Sequence, residues 1–310
     1  MNKKMLFVGA IGAVMSCMVV WFSFSQLVPP GGVPAVIHAD KANSKVQVPQ
    51  ARTVQATPSP SSPAAATPES RQNFLDKYNK ARSYRAFVYE VLREPKKGGL
   101  SYAFAVLSQC KNAINATANP AVQNEAKRQA TTALAARCDM SEPERQDVLR
   151  QLVAARNVEL TDDTTLKLTF ALGQAKTPDK QIDAVAAILQ NGDPSVMRSI
   201  LGARSVADDS NAGQPRIYFQ NQWYQGTQEV DKFNMAFQLV ECQLGLDCGP
   251  DSTAALVSCS EKGWCGGSVQ DAIRQQLNGQ SPGKFDEVSV LASQILQQIQ
   301  AGNAAAFVHR

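Results

Sequence analysis

Three regimes of hydrophobic patterning follow one another along the chain. Residues 5–28 form an almost unbroken apolar run without a charged side chain, residues 29–69 show no period at all, and from Ser70 onward apolar residues recur three and four apart. The last pattern predicts a succession of amphipathic helices. Phe74, Leu75, Tyr78, Ala81, Val88, Val91 and Leu92 place one helix over 70–93, and Leu100, Phe104, Leu107 and Ile114 place a second after Gly98 and Gly99. Asn119 before Pro120, Ser141 with Glu144 three residues on, Thr177 before Pro178 and Asp193 before Pro194 each offer a side-chain cap to the free N–H groups of a new helix. Gly192 and Gly202 stand where helices should stop. Ile182, Val185, Ile188 and Leu189, followed by Val196, Met197, Ile200 and Leu201, read as a helical hairpin over 177–203.

Two stretches depart from this pattern. Leu166, Leu168, Phe170 and Leu172 alternate like a strand, but a lone strand would have no partner, so a helix is expected there. Ile217, Tyr218, Phe219, Trp223 and Tyr224 cluster in polar surroundings without helical spacing, and a long connecting loop is expected over 214–226. Helical spacing returns with Val230, Phe233, Phe237 and Val240, then over 251–259, 268–277 and 285–299. The helix starts near 119, 141, 162, 177 and 193 are too unevenly spaced for a named repeat. The fold class expected is all-α: an irregular helical bundle or stacked helical hairpins, with a subdivision near 204–227.

The apolar run over 5–28 is long enough to span a bilayer and long for a cleaved signal, so residues 1–28 read as a signal anchor. Lys3 and Lys4 would hold its start in the cytoplasm and place the rest of a bacterial chain in the periplasm. Two rival fates are acylation at Cys17, within a loose lipobox Val14-Met15-Ser16-Cys17, and cleavage after Ala39. Residues 29–69 carry eight of the chain's 16 prolines and end in a Ser/Pro/Ala tract. Such a segment cannot bury enough apolar surface to offset its ordering entropy, and it reads as a disordered spacer before a helical domain over 70–310.

Charge then removes one class of function. The formal charge of +4 divides into +3 over residues 1–69 and +1 over 70–310, so the helical domain is close to neutral. A nucleic-acid binder would concentrate Lys and Arg on the domain itself, and that class is set aside.

Six cysteines follow the linker, an even number in a compartment that permits disulfides. Cys242, Cys248, Cys259 and Cys265 are spaced C-x5-C-x10-C-x5-C around a short helix. About ten helical residues separate the inner pair by about 15 Å, whereas bridged Cα atoms lie within about 7 Å. Each bridge should therefore stay at its own end, joining Cys242 to Cys248 and Cys259 to Cys265 and leaving Cys110 for Cys138. The last pair is out of register in a straight helical hairpin turning near Asn119, so a kink or an oblique crossing is required. Zinc is the rival use of four cysteines, but structural sites favour closer knuckles. The helical segments and the sequence Cys242-Gln-Leu-Gly-Leu-Asp-Cys248 with Cys259-Ser-Glu-Lys-Gly-Trp-Cys265 resemble a loose group of uncharacterised proteobacterial cell-envelope proteins over about residues 84–277. The resemblance implies a bacterial, exported, helical protein and brings no activity with it.

Reactive chemistry is sparse. His38 lies in the linker and His309 beside the terminus, which disfavours histidine-dependent triads, H-E-x-x-H zinc sites and phosphotransfer. No G-x-S-x-G, P-loop, dinucleotide fingerprint or C-x-x-C pair occurs. Ser281-Pro-Gly-Lys284 fits S-x-x-K without the accompanying K-T-G, and Asn115-Ala-Thr117 matches a glycosylation sequon that matters only in a eukaryotic secretory cell. Glu90, Glu94, Glu241 and Asp247 are the carboxylates that a wall-acting glycoside hydrolase could use. The turn from Gly263 to Ser268 could offer N–H groups to an anion. Tyr218, Phe219, Trp223 and Tyr224, with Trp264, are the candidate binding surface, and core packing under a loop is the rival use of the hairpin aromatics.

These features point to a membrane-tethered periplasmic helical binding or scaffold module, without catalytic residues, metal or cofactor. Its partner would be an envelope protein or cell-wall component, and not nucleic acid. The alternatives are a carboxylate-dependent cell-wall hydrolase and an accessory part of a secretion or conjugation machine.

Overall fold

A computed structural model describes residues 68–310 apart from 96–97, 119–123, 160–162, 203–214, 280 and 310. The expected anchor, Cys17, Ala39 and nearly all of the expected linker lie outside the described residues. Among those described, the fold is all-α with one small β-hairpin. The helices are α1 (Pro68–Lys80), α2 (Tyr84–Arg93), α3 (Leu100–Thr117), α4 (Glu125–Arg137), α5 (Glu142–Glu159), α6 (Thr164–Gln174), α7 (Pro178–Asn191), α8 (Pro194–Gly202), α9 (Thr227–Gln243), α10 (Thr253–Lys262), α11 (Val269–Asn278) and α12 (Lys284–Gln300). Strands β1 (Arg216–Phe219) and β2 (Gln222–Gln225) precede α9, and a short 3-10 turn (Ala304–Phe307) follows α12. No helix among the described residues is long and apolar enough to cross a membrane.

Side-chain caps set most of these boundaries. Asn124, Ser252, Ser268 and Thr177 each accept a hydrogen bond from a backbone N–H three residues on, and Gly192 and Gly263 end α7 and α10 in the left-handed region that glycine adopts freely. One boundary departs from the sequence expectation. The pattern over 70–93 predicts a single helix, whereas the chain breaks at 81–83. There the Ser83 side chain accepts from Ala86 N, and Asp139 accepts from both the Ser83 hydroxyl (2.6 Å) and the Arg85 N–H (3.0 Å). The break turns Tyr84 inward, where it is fully buried. Gly99 lies close beneath: a Cβ there would meet Phe74 and Val91 at 2.8 Å, so α1 and α2 approach α3 more closely than any other residue would permit.

The loop expected over 214–226 also contains regular structure. Arg216 pairs with Gln225, Ile217 with Tyr224, Tyr218 with Trp223 and Phe219 with Gln222 in an antiparallel hairpin. Gln220 and Asn221 occupy positive φ (48° and 64°), as a two-residue turn matched to strand twist requires, and Asn221 Oδ1 accepts from the Tyr218 hydroxyl at 2.8 Å. Gln220 N also donates to Ala306 O (2.8 Å), tying the turn to the 3-10 segment.

Packing separates the buried side chains into two main clusters. The first, from Phe74 to Leu152, belongs to α1–α5, and the second, from Leu172 to Val308, belongs to α6–α12 and the hairpin. Val185 and Met197 before residues 203–214 share the second cluster with Ile217 and Phe237 after them. A small third cluster of Ala113, Ala130, Leu134, Leu256 and Cys259 joins α3 and α4 to α10.

Polar groups cross between the two halves. The Tyr102 hydroxyl donates to Asp193 Oδ1 at 2.7 Å, and Ser101 and Thr165 share a hydroxyl bond of 3.2 Å. Thr253 Oγ1 meets the Tyr84 hydroxyl (3.0 Å) and accepts from Arg137 Nη1 (3.0 Å), while Arg137 Nη2 donates to Asp251 O. Asn79 clasps the loop after α9 through Gly245 O (2.9 Å) and Asp247 N (3.0 Å).

Three disulfides brace this arrangement. Cys110 is bonded to Cys138, Cys242 to Cys248 and Cys259 to Cys265, with Cα separations of 5.4, 5.6 and 4.5 Å. The first joins the middle of α3 to the residue capping α4, and the other two each staple a helix end to the loop that follows.

Three expectations follow. In the chain-entropy view, closing 28 residues stabilises by about 3.5 kcal/mol and closing six by about 2 kcal/mol. Replacing Cys110 and Cys138 with Ala should therefore lower the unfolding free energy more than replacing Cys242 and Cys248, as measured by urea titration without reductant. Non-reducing peptide mapping should recover the three pairs, and a Cys248–Cys259 peptide would contradict the geometry. Thr253→Val leaves the Tyr84 hydroxyl and an Arg137 donor without their shared partner and should cost about 1–3 kcal/mol, while Thr253→Ser retains most of the stability.

Candidate functional site

The carboxylate that sequence reading favours for chemistry is Glu241, in the last turn of α9 beside the Cys242–Cys248 bridge. It is buried, at 3% exposure. Arg198 of α8 reaches it with both arms of its guanidinium, Nε to Oε1 at 2.7 Å and Nη2 to Oε2. Two parallel charge-assisted bonds satisfy both carboxylate oxygens. Both oxygens are thus committed to a partner inside the protein. Of the other candidates, Glu90 forms a part-exposed ion pair with Lys77 (2.7 Å), and Asp247 Oδ1 accepts from Gly249 N (3.0 Å) in the loop after α9.

The aromatic residues are spent mostly on the core. Phe219 is 1% exposed and packs its ring edge against Phe233 at 5.6 Å, and Tyr224 meets Phe233 at 5.0 Å. Tyr218 and Trp264 are also buried. The hairpin therefore presents no contiguous aromatic surface, because alternate side chains point down onto α9 and the 3-10 turn. Trp223 keeps partial exposure. It is covered by the Arg216 guanidinium at 4.1 Å and by His309 at 5.1 Å from its ring centre. His309, which the sequence leaves at the terminus, thus completes a small stack with Tyr218 and Trp223. Trp264 is overlaid by Lys262 at 4.4 Å.

The turn from Gly263 to Ser268 is bonded internally at both of its ends. Gly263 N and Trp264 N donate to Cys259 O and Ser258 O, and Val269 N donates to Cys248 O. Ser268 caps α11 through Asp271 N, and Gly266 lies so close to Gln275 that a Cβ would sit 2.6 Å from its amide oxygen. These glycines satisfy a tight turn between two disulfides.

Sequence reasoning passes over the most desolvated acidic group. Asp163 has no exposed surface, and its Oδ1 accepts from Thr165 N (2.8 Å), Thr165 Oγ1 (2.6 Å) and Leu166 N (3.0 Å) to cap α6. Its Oδ2 is buried without a partner. Burial, reinforced by the nearby Asp193 carboxylate, pushes the Asp163 pKa up even though the capping bonds pull it down. Asp193 is nearly buried too, capping α8 through Ser195 N (2.8 Å) and receiving the Tyr102 hydroxyl. Burial and the Asp193 charge in turn raise the Tyr102 phenol well above its ordinary value. The only sequence signal for this group is the Asp-x-Thr and Asp-x-Ser spacing of two helix caps.

No set of three or more His, Cys, Asp and Glu residues placed to hold a metal ion occurs among the described residues. The most distinct surface concavity there is a shallow cleft of about 460 Å³ at the α1–α2 break, lined by Lys77, Lys80, Arg82, Phe87 and Glu90. Compared with protein-family models, with curated proteins and with solved structures, the chain finds no match in any of the three.

Asp163 gives a pH prediction. A raised folded-state pKa means that the native protein holds the proton more tightly than the unfolded chain. Its contribution to stability is full below the unfolded value and is lost as pH rises through the folded one. Asp163→Asn keeps a capping oxygen and removes the charge, so its stability relative to the parent chain should improve as pH rises from acid to neutral. Asp163→Ala removes the charge and the cap together, so it should follow the same pH trend while lying about 1–2 kcal/mol below Asp163→Asn at every pH, both read from urea midpoints.

Proposed function

We propose that the chain is a membrane-tethered helical module of a bacterial cell envelope that binds a protein or wall component in the periplasm and performs no chemistry of its own. The observation that carries this reading is the state of Glu241, whose carboxylate is buried and held by Arg198 on both oxygens. The address rests on the sequence: a basic start, an uncharged apolar run over 5–28 and a proline-rich stretch over 29–69. The three disulfides fit an oxidising compartment. A helical domain of net charge +1 has no electrostatic drive toward nucleic acid.

Cross-linking in intact cells, followed by recovery of the tagged full-length protein and mass spectrometry, tests the reading. A reproducible stoichiometric partner from the envelope is the expected result. Glu241→Gln in the full-length chain provides the opposing test against release of peptidoglycan fragments. The proposal expects the parent and variant to be alike in that assay, with the variant less stable by about 1–3 kcal/mol from the weakened ion pair. Turnover by the parent chain that disappears in a folded Glu241→Gln variant would establish the hydrolase instead.

A further inference from the structure

Helix α1 is held differently from the rest of the fold. Among its described side chains only Phe74, Leu75 and Tyr78 are buried, and no disulfide reaches it. The groove that receives these side chains has covalently braced walls. Phe74 fills the space that Gly99 leaves open beside Val91, since a Cβ at Gly99 would lie 2.8 Å from both side chains. The Tyr78 ring lies 4.9 Å from Tyr102, and its hydroxyl accepts from Gln109 Nε2 (3.2 Å), next to the Cys110–Cys138 bridge. Asn79 clasps Gly245 O and Asp247 N within the loop that the Cys242–Cys248 bridge closes. The junction with α2 is a ready hinge. Ser83 caps α2 through Ala86 N, and Asp139 fixes both Ser83 and Arg85, so the start of α2 is pinned without α1.

We propose that α1 is a displaceable strap over a preformed helix-binding groove, and that the groove takes an amphipathic helix of a protein partner with Phe, Leu and Tyr at α1's own spacing. Local opening draws on segments with few buried side chains and no covalent brace, and α1 meets both conditions while the groove walls meet neither. A short helix is marginal by itself in water, so α1 off the groove loses its order and leaves the site open to a competitor. The seated α1 shows the chemistry that the groove accepts. It also leaves one acceptor of the wall bare: Gln109 Oε1, on the amide that meets the Tyr78 hydroxyl, is buried without a partner. A competing helix that brings a donor to that oxygen gains a bond that α1 lacks, and so displaces it. Recognition is by a helix in a groove, with aromatic anchors at i and i+4 carrying the affinity. The partner class deepens the binding module proposed above and rests on that reading, whereas the strap rests on packing alone.

The test uses the full-length, disulfide-intact chain in detergent. Native-state hydrogen exchange should show the amides of residues 76–80 at least tenfold less protected than those of α3, in an opening of small denaturant dependence. A fluorescent synthetic peptide of residues 68–82 should bind a Phe74→Ala, Leu75→Ala double variant at least tenfold more tightly than the parent chain. The same peptide carrying Phe74→Ala and Tyr78→Ala should bind neither. The double variant should keep the circular dichroism of the parent less one short helix. Protection of 76–80 that is lost only together with α3 overturns the strap, as does a double variant that unfolds as a whole. A peptide that binds parent and variant equally, or binds neither, overturns the groove. A parent dimer in sedimentation with α1 exchanged between copies would assign the groove to a second copy and overturn the partner helix. A failed search for a cross-linked partner in cells, with the peptide results intact, would count against the binding reading and not against the strap.

Discussion

The constraint on which this structure depends is that a buried hydroxyl or carboxylate must find its partner inside the protein. The two large apolar clusters meet along a polar seam where Tyr102 reaches Asp193, Ser101 reaches Thr165, and Tyr84 and Arg137 converge on Thr253. Each of these bonds joins an element of α1–α5 to an element of α6–α12 or a residue at its edge. A buried phenol that loses its acceptor costs roughly 1–3 kcal/mol, so the halves cannot slide or separate without exposing several such costs at once. Apolar packing alone would accept many relative placements of two helical layers. The directional bonds of the seam select one.

The same economy of partners bears on function. Two groups that could carry chemistry are already committed: Glu241 to Arg198, and Asp193 to a helix cap and a phenol. Asp163 keeps one oxygen unpaired, but it lies beneath the surface at the start of α6, where it sets helix geometry. What is left facing outward is helix surface braced by three covalent links.

The helices and caps were largely legible in the sequence because they are local. Ser141, Thr177, Asp193 and Gly192 act within four residues of themselves, and the spacing of four cysteines around a ten-residue helix is enough to assign their pairing. The features that escaped depend on distant partners. The break at Ser83 is fixed by Asp139, 56 residues away, and the hairpin at 216–225 is held by α9 and by Ala306. Its turn residues are Gln220 and Asn221, without the glycine that usually signals a two-residue turn. Glu241 looked available because its partner Arg198 lies on a different helix, and Asp163 drew no notice because a capping aspartate and a desolvated one read identically.

Native-state hydrogen exchange of the disulfide-intact protein tests the central claim most directly, that the seam makes two apolar cores into one cooperative body. The most protected amides of α2 and α3 and those of α9 and α12 should open with the same free energy and the same denaturant dependence, as a single global event. Exchange of α1–α5 through an opening that leaves α9 and α12 protected would show two bodies that merely touch, and would contradict the account.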